Sequence, residues 1–164
     1  MKKYYQRGFT LIELLVVIAI IGILASIILA SLGTARSKGI DSGIKSDLGS
    51  VRAQMEVYAA GNNNSYSGGC AALGSANPPG AGTILAGAVS TVTGVISGGV
   101  TLNTAFATAG AYNKVTCHDQ AGSWSAEAPL SNSVAATPSL WCVDSTGNSK
   151  PENAGVGASL SSCT

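Results

Sequence analysis

One charged side chain, Glu13, stands inside a run of 24 residues from Phe9 to Leu32 that carries no other charge. As a helix rising about 1.5 Å per residue, the run measures roughly 36 Å and exceeds the ~30 Å hydrocarbon core of a bilayer. A carboxylate in such a helix costs up to about 3 kcal/mol on insertion, so its retention points to a use. Lys2, Lys3 and Arg7 precede the run and mark that side as cytoplasmic by the positive-inside rule. The expectation is one membrane-spanning helix over residues 9–32, with residues 33–164 outside the cytoplasm.

The residues at the start of the run are Gly8, Phe9, Thr10, Leu11, Ile12 and Glu13, followed by the uninterrupted stretch LLVVIAIIGILAS. This string resembles the class III signal of type IV pilins and type II secretion pseudopilins, over roughly residues 1–60. In that family a prepilin peptidase cuts after the glycine and methylates the new amino terminus. The resemblance therefore implies cleavage between Gly8 and Phe9, with Phe9 becoming the N-methylated first residue. Residues 1–8 would be the leader and 33–164 the head, including the amphipathic half of a long helix. The family often has a proline part-way along the apolar run, and this chain has none there. Gly22, Gly33, Gly39, Gly43 and Gly49 are the alternative places for bends, each costing about 1 kcal/mol against alanine in a helix.

The spacing of Phe9 and Glu13 has its own chemistry. Residues four apart on a helix share a face, with Cβ atoms about 6 Å apart. Cleavage would create an amine at Phe9 close to the carboxylate, which either neutralises its own Glu13 or reaches that of a neighbouring subunit. The second arrangement fixes the stagger between chains, because removing one partner of a buried pair costs about 3–5 kcal/mol. The simpler alternative is a Glu13 tolerated near the interface by snorkelling. An ordinary secretory signal has an apolar core of only about 7–15 residues and no charge inside it, so it describes this run less well.

Beyond the run, Ile40, Ile44, Leu48, Val51, Met55 and Tyr58 recur at spacings of 4, 4, 3, 4 and 3, one apolar stripe of an amphipathic helix. Lys38, Asp41, Lys45, Asp47, Arg52 and Glu56 occupy the remaining faces. The helix is expected from Phe9 to about Ala60, ending at Gly61 and the Asn62-Asn63-Asn64 turn signal. From Val57 to Asn113 there is no Asp, Glu, Lys or Arg. That segment is not poor enough in apolar residues for disorder, and Leu85, Val89, Val92 and Ile96 suggest a short helix near 83–97. The resemblance implies a subunit-contact loop there.

The last third reads as a small antiparallel sheet of three or four strands. Trp124, Ala126, Ala128 and Leu130 alternate with Ser123, Ser125, Glu127 and Pro129, the pattern of a half-buried strand. Residues 140–144 give a second strand closed by the turn Ser145-Thr146-Gly147-Asn148, with further candidates at 112–117 and 156–160. The fold class expected is α+β, a long N-terminal helix packed on this sheet as in the pilins it resembles.

Cys70, Cys117, Cys142 and Cys163 all follow the apolar run, and an exported head makes two disulfides the default. Cys70–Cys117 with Cys142–Cys163 is the preferred pairing; Cys117–Cys142 is the alternative. Each bridge is worth about 2–4 kcal/mol. Cys117-His118-Asp119 does not read as a catalytic group, because strand neighbours point to opposite faces. No metal, phosphate loop or other cofactor signature emerges, and Asp144 with Asn148 suits a hairpin turn better than a calcium site.

Loss of Lys2, Lys3 and Arg7 with the leader would leave six basic and eight acidic residues, a net of −2, with no basic cluster for nucleic acid. The resemblance implies a non-enzymatic filament subunit. Its partners would be copies of itself, a prepilin peptidase and an inner-membrane assembly platform. The precursor would cross the inner membrane once, and the mature form would stand in a cell-surface pilus or a periplasmic pseudopilus. The first alternative is thus a type II secretion pseudopilin, against which stands the lack of an Asp-Pro-Trp-Gly type motif. The second is a signal-anchored exported binding module.

Overall fold

The computed structural model describes residues 8–71, 80–93, 96, 101–104, 110–155 and 162–163, apart from the side chain of Ala30. The chain divides into two compact units, Met1–Arg36 and Ser37–Thr164. The described part of the first unit is residues 8–10, in non-helical backbone, and the start of helix α1, which spans Leu11–Gly61. Its apolar side chains lie open, with Leu11 88 % exposed and Leu29 70 % exposed. α1 is long and apolar enough in this part to cross a membrane. It stays helical through Gly22, Gly33, Gly39, Gly43 and Gly49, so none of these glycines interrupts it.

α1 ends where left-handed residues take over. Asn63 and Asn64 have φ of 53° and 57°, a region that asparagine enters more readily than most residues. The Asn64 N–H donates to the Ala59 carbonyl at 2.8 Å, and the Ser65 N–H donates to that of Asn62 at 3.0 Å. These bonds satisfy carbonyls left over at the helix end.

The second unit adds α2 (Gly82–Thr93) and five strands: β1 (Thr101–Asn103), β2 (Lys114–Asp119), β3 (Trp124–Pro129), β4 (Leu140–Asp144) and β5 (Ser149–Glu152). They form one sheet in the order β1-β2-β3-β4-β5. β2 to β5 are an antiparallel meander, whereas β1 runs parallel to β2 with Leu102 opposite Val115. Five strands thus replace the expected three or four, and one pair is parallel. The two extra strands are short and carry weak signals: Thr-Leu-Asn and Ser-Lys-Pro-Glu. Pro151 sits on the edge strand β5, the position a sheet tolerates because proline donates no ladder bond. The strand expected at 156–160 lies outside the described residues.

One face of the sheet meets the stripe of α1. Ile44, Leu48, Val51 and Met55 are fully buried in a core with Leu85, Ala88 and Val92 of α2 and with Val115, Cys117, Trp124, Ala126, Ala128 and Val143. Burial of each such aliphatic side chain is worth about 1.5–3 kcal/mol. Gly69 allows the following loop to press on this core, since a Cβ there would stand 2.8 Å from the Met55 sulfur.

The opposite face departs from the sequence reading. β3 is buried at all six residues rather than at alternate ones. Thr116, His118, Ser125, Glu127, Asp144 and Glu152 are buried on the side facing away from α1. The register explains their company: Thr116 pairs with Glu127, His118 with Ser125, and Ser125 with Asp144. Chain segments cover this face. Gly110 lies so close to Glu127 that a Cβ would overlap the carboxylate, and Cys163 is bonded to Cys142. Alternation reports only one apolar side, so a strand covered by polar contacts on its other side looks half-exposed in sequence.

Candidate functional site

The segment from Gly8 to Glu13 is built around a reciprocal cap. Gly8, Phe9 and Thr10 precede α1, and Thr10 takes the N-cap position. The Glu13 Oε2 accepts from the Thr10 N–H at 2.8 Å and from the Thr10 hydroxyl at 2.7 Å. The Glu13 N–H donates back to the Thr10 Oγ1 at 3.3 Å. This is the capping box Ser/Thr-x-x-Glu, in which one side chain at each end satisfies an orphan amide of the helix start. Thr10-Leu11-Ile12-Glu13 carries that signature in plain sequence, and a reading centred on Phe9 passes over Thr10. The helix also starts two residues later than the expected Phe9, so Phe9 and Glu13 do not share a helical face in this chain. Phe9 is 93 % exposed and stands with Gly8 in non-helical backbone just before the helix.

The structure joins Cys70 to Cys117 and Cys142 to Cys163, with Cα atoms 5.7 and 5.8 Å apart. Cys70–Cys117 ties the loop after α1 into the core beneath β2. Asp119 reinforces that tie, accepting from the N–H groups of Gly68 at 3.1 Å and Cys70 at 2.6 Å. Tyr66 donates its hydroxyl to Glu56 at 3.0 Å on the same loop. Burial, with the Glu56 carboxylate beside it, pushes the Tyr66 hydroxyl up from its ordinary value.

Cys117-His118-Asp119 therefore holds no triad. The sulfur is spent on Cys70, the carboxylate on backbone amides, and His118 lies on the opposite sheet face from Cys117. Donor atoms of Cys142, Glu152 and Cys163 lie within 4.8 Å of one another, but the two sulfurs are bonded to each other and offer no thiolate to a metal.

Asp144 is the centre of the β4–β5 turn. Its Oδ1 accepts from the Thr146 N–H at 2.9 Å, the Thr146 hydroxyl at 2.7 Å and the Asn148 N–H at 3.1 Å. Its Oδ2 accepts from the Asn148 side-chain amide at 2.8 Å and the Cys163 N–H at 2.9 Å. Burial alone would raise the carboxyl, but the Thr146 hydroxyl, the Asn148 side chain and the N–H groups of Cys163 and Asn148 outweigh it and hold Asp144 at about 2. With its acceptor positions occupied, the residue organises a turn, and Gly147 at φ +97° completes it.

Residues 3–29 match the family described as the prokaryotic N-terminal methylation motif. The chain is 45 % identical over 67 residues to the type IV wide pilus major component PilA4 of Thermus thermophilus, covering 41 % of this chain and 50 % of that protein. It is 40 % identical over 60 residues to the type II secretion system core protein G of Pectobacterium carotovorum, covering 37 % of this chain and 38 % of that one. Fimbrial protein EcpB of Eikenella corrodens is 47 % identical over 57 residues, 35 % of this chain and 36 % of its own. The matches span half or less of the length of these curated relatives. No solved structure matches the chain.

Proposed function

We propose that the chain is the subunit of a type IV pilus-like filament. Residues 9–32 hold the precursor in the inner membrane, a prepilin peptidase cuts between Gly8 and Phe9, and Phe9 is N-methylated. Copies then assemble through their N-terminal helices, fed by an inner-membrane platform. The observation that carries this reading is the methylation motif over residues 3–29, which runs into a helix whose apolar side chains lie open and whose first turn holds one capped carboxylate, Glu13. The non-helical backbone at Gly8 and Phe9 suits a protease, which needs an extended segment, and the exposed apolar surface suits lipid first and copies of the chain afterwards.

Glu13 has a second use in this scheme. Within one chain it caps the helix through Thr10. Once Phe9 carries a free amine, the same carboxylate is available to a neighbouring terminus, and the unfavourable burial of either charge alone selects the stagger. A role without catalysis accords with the relatives, which are named as pilus components and secretion-system core proteins.

The likeness to core protein G favours a second reading, a periplasmic pseudopilus rather than a surface fibre. Intact mass and N-terminal sequencing of sheared surface material and of membranes test both. A chain starting at methylated Phe9 in the sheared fraction is expected; finding it in membranes alone would move the protein to the pseudopilus. An uncut Met1, or a start beyond Ala30, would overturn the assignment. Gly8→Val is expected to leave full-length precursor in the membrane. Glu13→Ala is expected to be processed yet to lose most of its incorporation into filaments, and normal fibres from it would remove the registration argument.

A further inference from the structure

Of the nine asparagines in the chain, one, Asn63, stands in the arrangement Asn-X-Ser/Thr, as Asn63-Asn64-Ser65. That pattern is an acceptor of N-linked saccharide in exported proteins, provided it lies on an accessible surface loop. Here it falls at the turn that ends α1. Asn63 is exposed and outside regular structure, with φ of 53°. Its neighbour Asn62 is engaged, its side-chain amide donating to the carbonyls of Ser65 at 2.9 Å and Ser67 at 3.3 Å. Asn63 makes no side-chain hydrogen bond among the described residues, so its amide nitrogen is presented outward. The Ser65 hydroxyl accepts from the Ser67 N–H at 3.3 Å, which leaves its own hydrogen able to donate. A second observation concerns hydration. Asn63 belongs to the Val57–Asn113 segment that lacks every Asp, Glu, Lys and Arg, and a saccharide would supply the water-binding groups that charge does not.

We propose that Asn63 is a site of N-linked glycosylation, taking its saccharide from a lipid-pyrophosphate-linked donor outside the cytoplasm. The inference rests on the reading above for the compartment of the head. In the transfer the Asn63 amide nitrogen bonds to the anomeric carbon of the sugar. The anomeric carbon–oxygen bond to the pyrophosphate breaks, the electron pair leaves with the lipid pyrophosphate, and the amide proton goes to a base of the transferase. Nothing is oxidised or reduced.

The test is intact mass with site localisation by electron-transfer fragmentation, on chain isolated from the cells that make it. The wild type is expected to exceed its sequence mass by a saccharide carried on Asn63. Asn63→Gln and Ser65→Ala should lose that mass completely, while Asn64→Gln, which preserves the pattern, should keep it. Near-ultraviolet circular dichroism checks that the variants retain the fold. An unmodified wild type, a sugar attached to Ser65, or a modification that survives Ser65→Ala would overturn the proposal. A chain that starts at Phe9 and bears no sugar defeats this inference alone. A glycosylated chain uncut at Gly8 defeats the filament reading instead.

Discussion

α1 carries apolar side chains along its whole length, and the two units use them in opposite ways. Leu14, Leu15 and Ile18 are 60, 62 and 60 % exposed, while Ile44, Leu48, Val51 and Met55 are fully buried. The early stretch mixes Leu and Ala with many β-branched Ile and Val, is capped by Thr10 and Glu13, and leaves its side chains open. The later stretch contains Gly39, Gly43, Gly49, Ser42, Ser46 and Ser50, a poor composition for a free helix. It is held by its packing against the sheet and α2, since tertiary burial outweighs propensity in most protein helices. One region needs an apolar surrounding to exist in water at all; the other makes its own.

Substitution should separate the two most sharply. Leu48→Ala is expected to destabilise the second unit by about 2–5 kcal/mol, the usual result of a cavity in a packed core. Leu15→Ala should change that unit's stability by less than about 0.5 kcal/mol, as an open position does. Urea unfolding of full-length chain in detergent micelles, followed by fluorescence of the buried Trp124, measures both. Equal effects would mean that the first unit contributes to the core of the second.

Loss of the Cys70–Cys117 bridge comes next. Cys70→Ser with Cys117→Ser is expected to cost about 2–5 kcal/mol in the same titration. The helical signal of residues 11–32 should be unaffected, so a parallel loss there would erase the distinction.

A smaller effect is set by pH. Asp144 is depressed from 3.8 to about 2 in the folded chain, so its contribution is present above about pH 4 and is lost as pH falls towards 2. A shift of this size amounts to on the order of 2 kcal/mol. Asp144→Asn should remove that part of the acid dependence, flattening stability between pH 4 and 2. An unchanged slope would assign the acid sensitivity to other carboxylates of the sheet.

The smallest expected effect tests the local half of the comparison. Thr10→Val removes the cap hydroxyl at a cost of about 1 kcal/mol confined to the first turn. Amide exchange should accelerate at Leu11–Glu13 and nowhere in the sheet, and Thr10→Ser should restore protection.

Sequence alone reached features set by short-range pattern. The apolar run, the α1 stripe, α2 and the strands at 124–129 and 140–144 follow from periodicity and turn residues that operate over a few positions. The α+β class followed from the same signals and from the family likeness. β1 and β5 were missed because their pairing, not their composition, makes them strands: Leu102 is fixed by Val115 and Pro151 by Trp141. The buried polar side of the sheet was missed for a related reason. Nothing in Ser125, Glu127 or Asp144 announces cover that comes from around Gly110 and Cys163. At the N-terminal site, Gly8, Phe9 and Glu13 were singled out as a string. Thr10 stands in the same string, but its capping role is hidden when the carboxylate is set against an amine rather than the nearer hydroxyl.

The bond from the Cys163 N–H to Asp144, with the Cys142–Cys163 bridge beside it, imposes an order of events. The meander from β2 to β4 is made of neighbours in sequence and can pair without residue 163. The part of its second face at Cys142 and Asp144 is closed only by residue 163. A greasy surface left open for that interval would invite other chains to adhere. Thr116, Ser125, Glu127 and Asp144 instead make much of that face polar, so the uncovered meander shows less apolar surface there than an aliphatic face would.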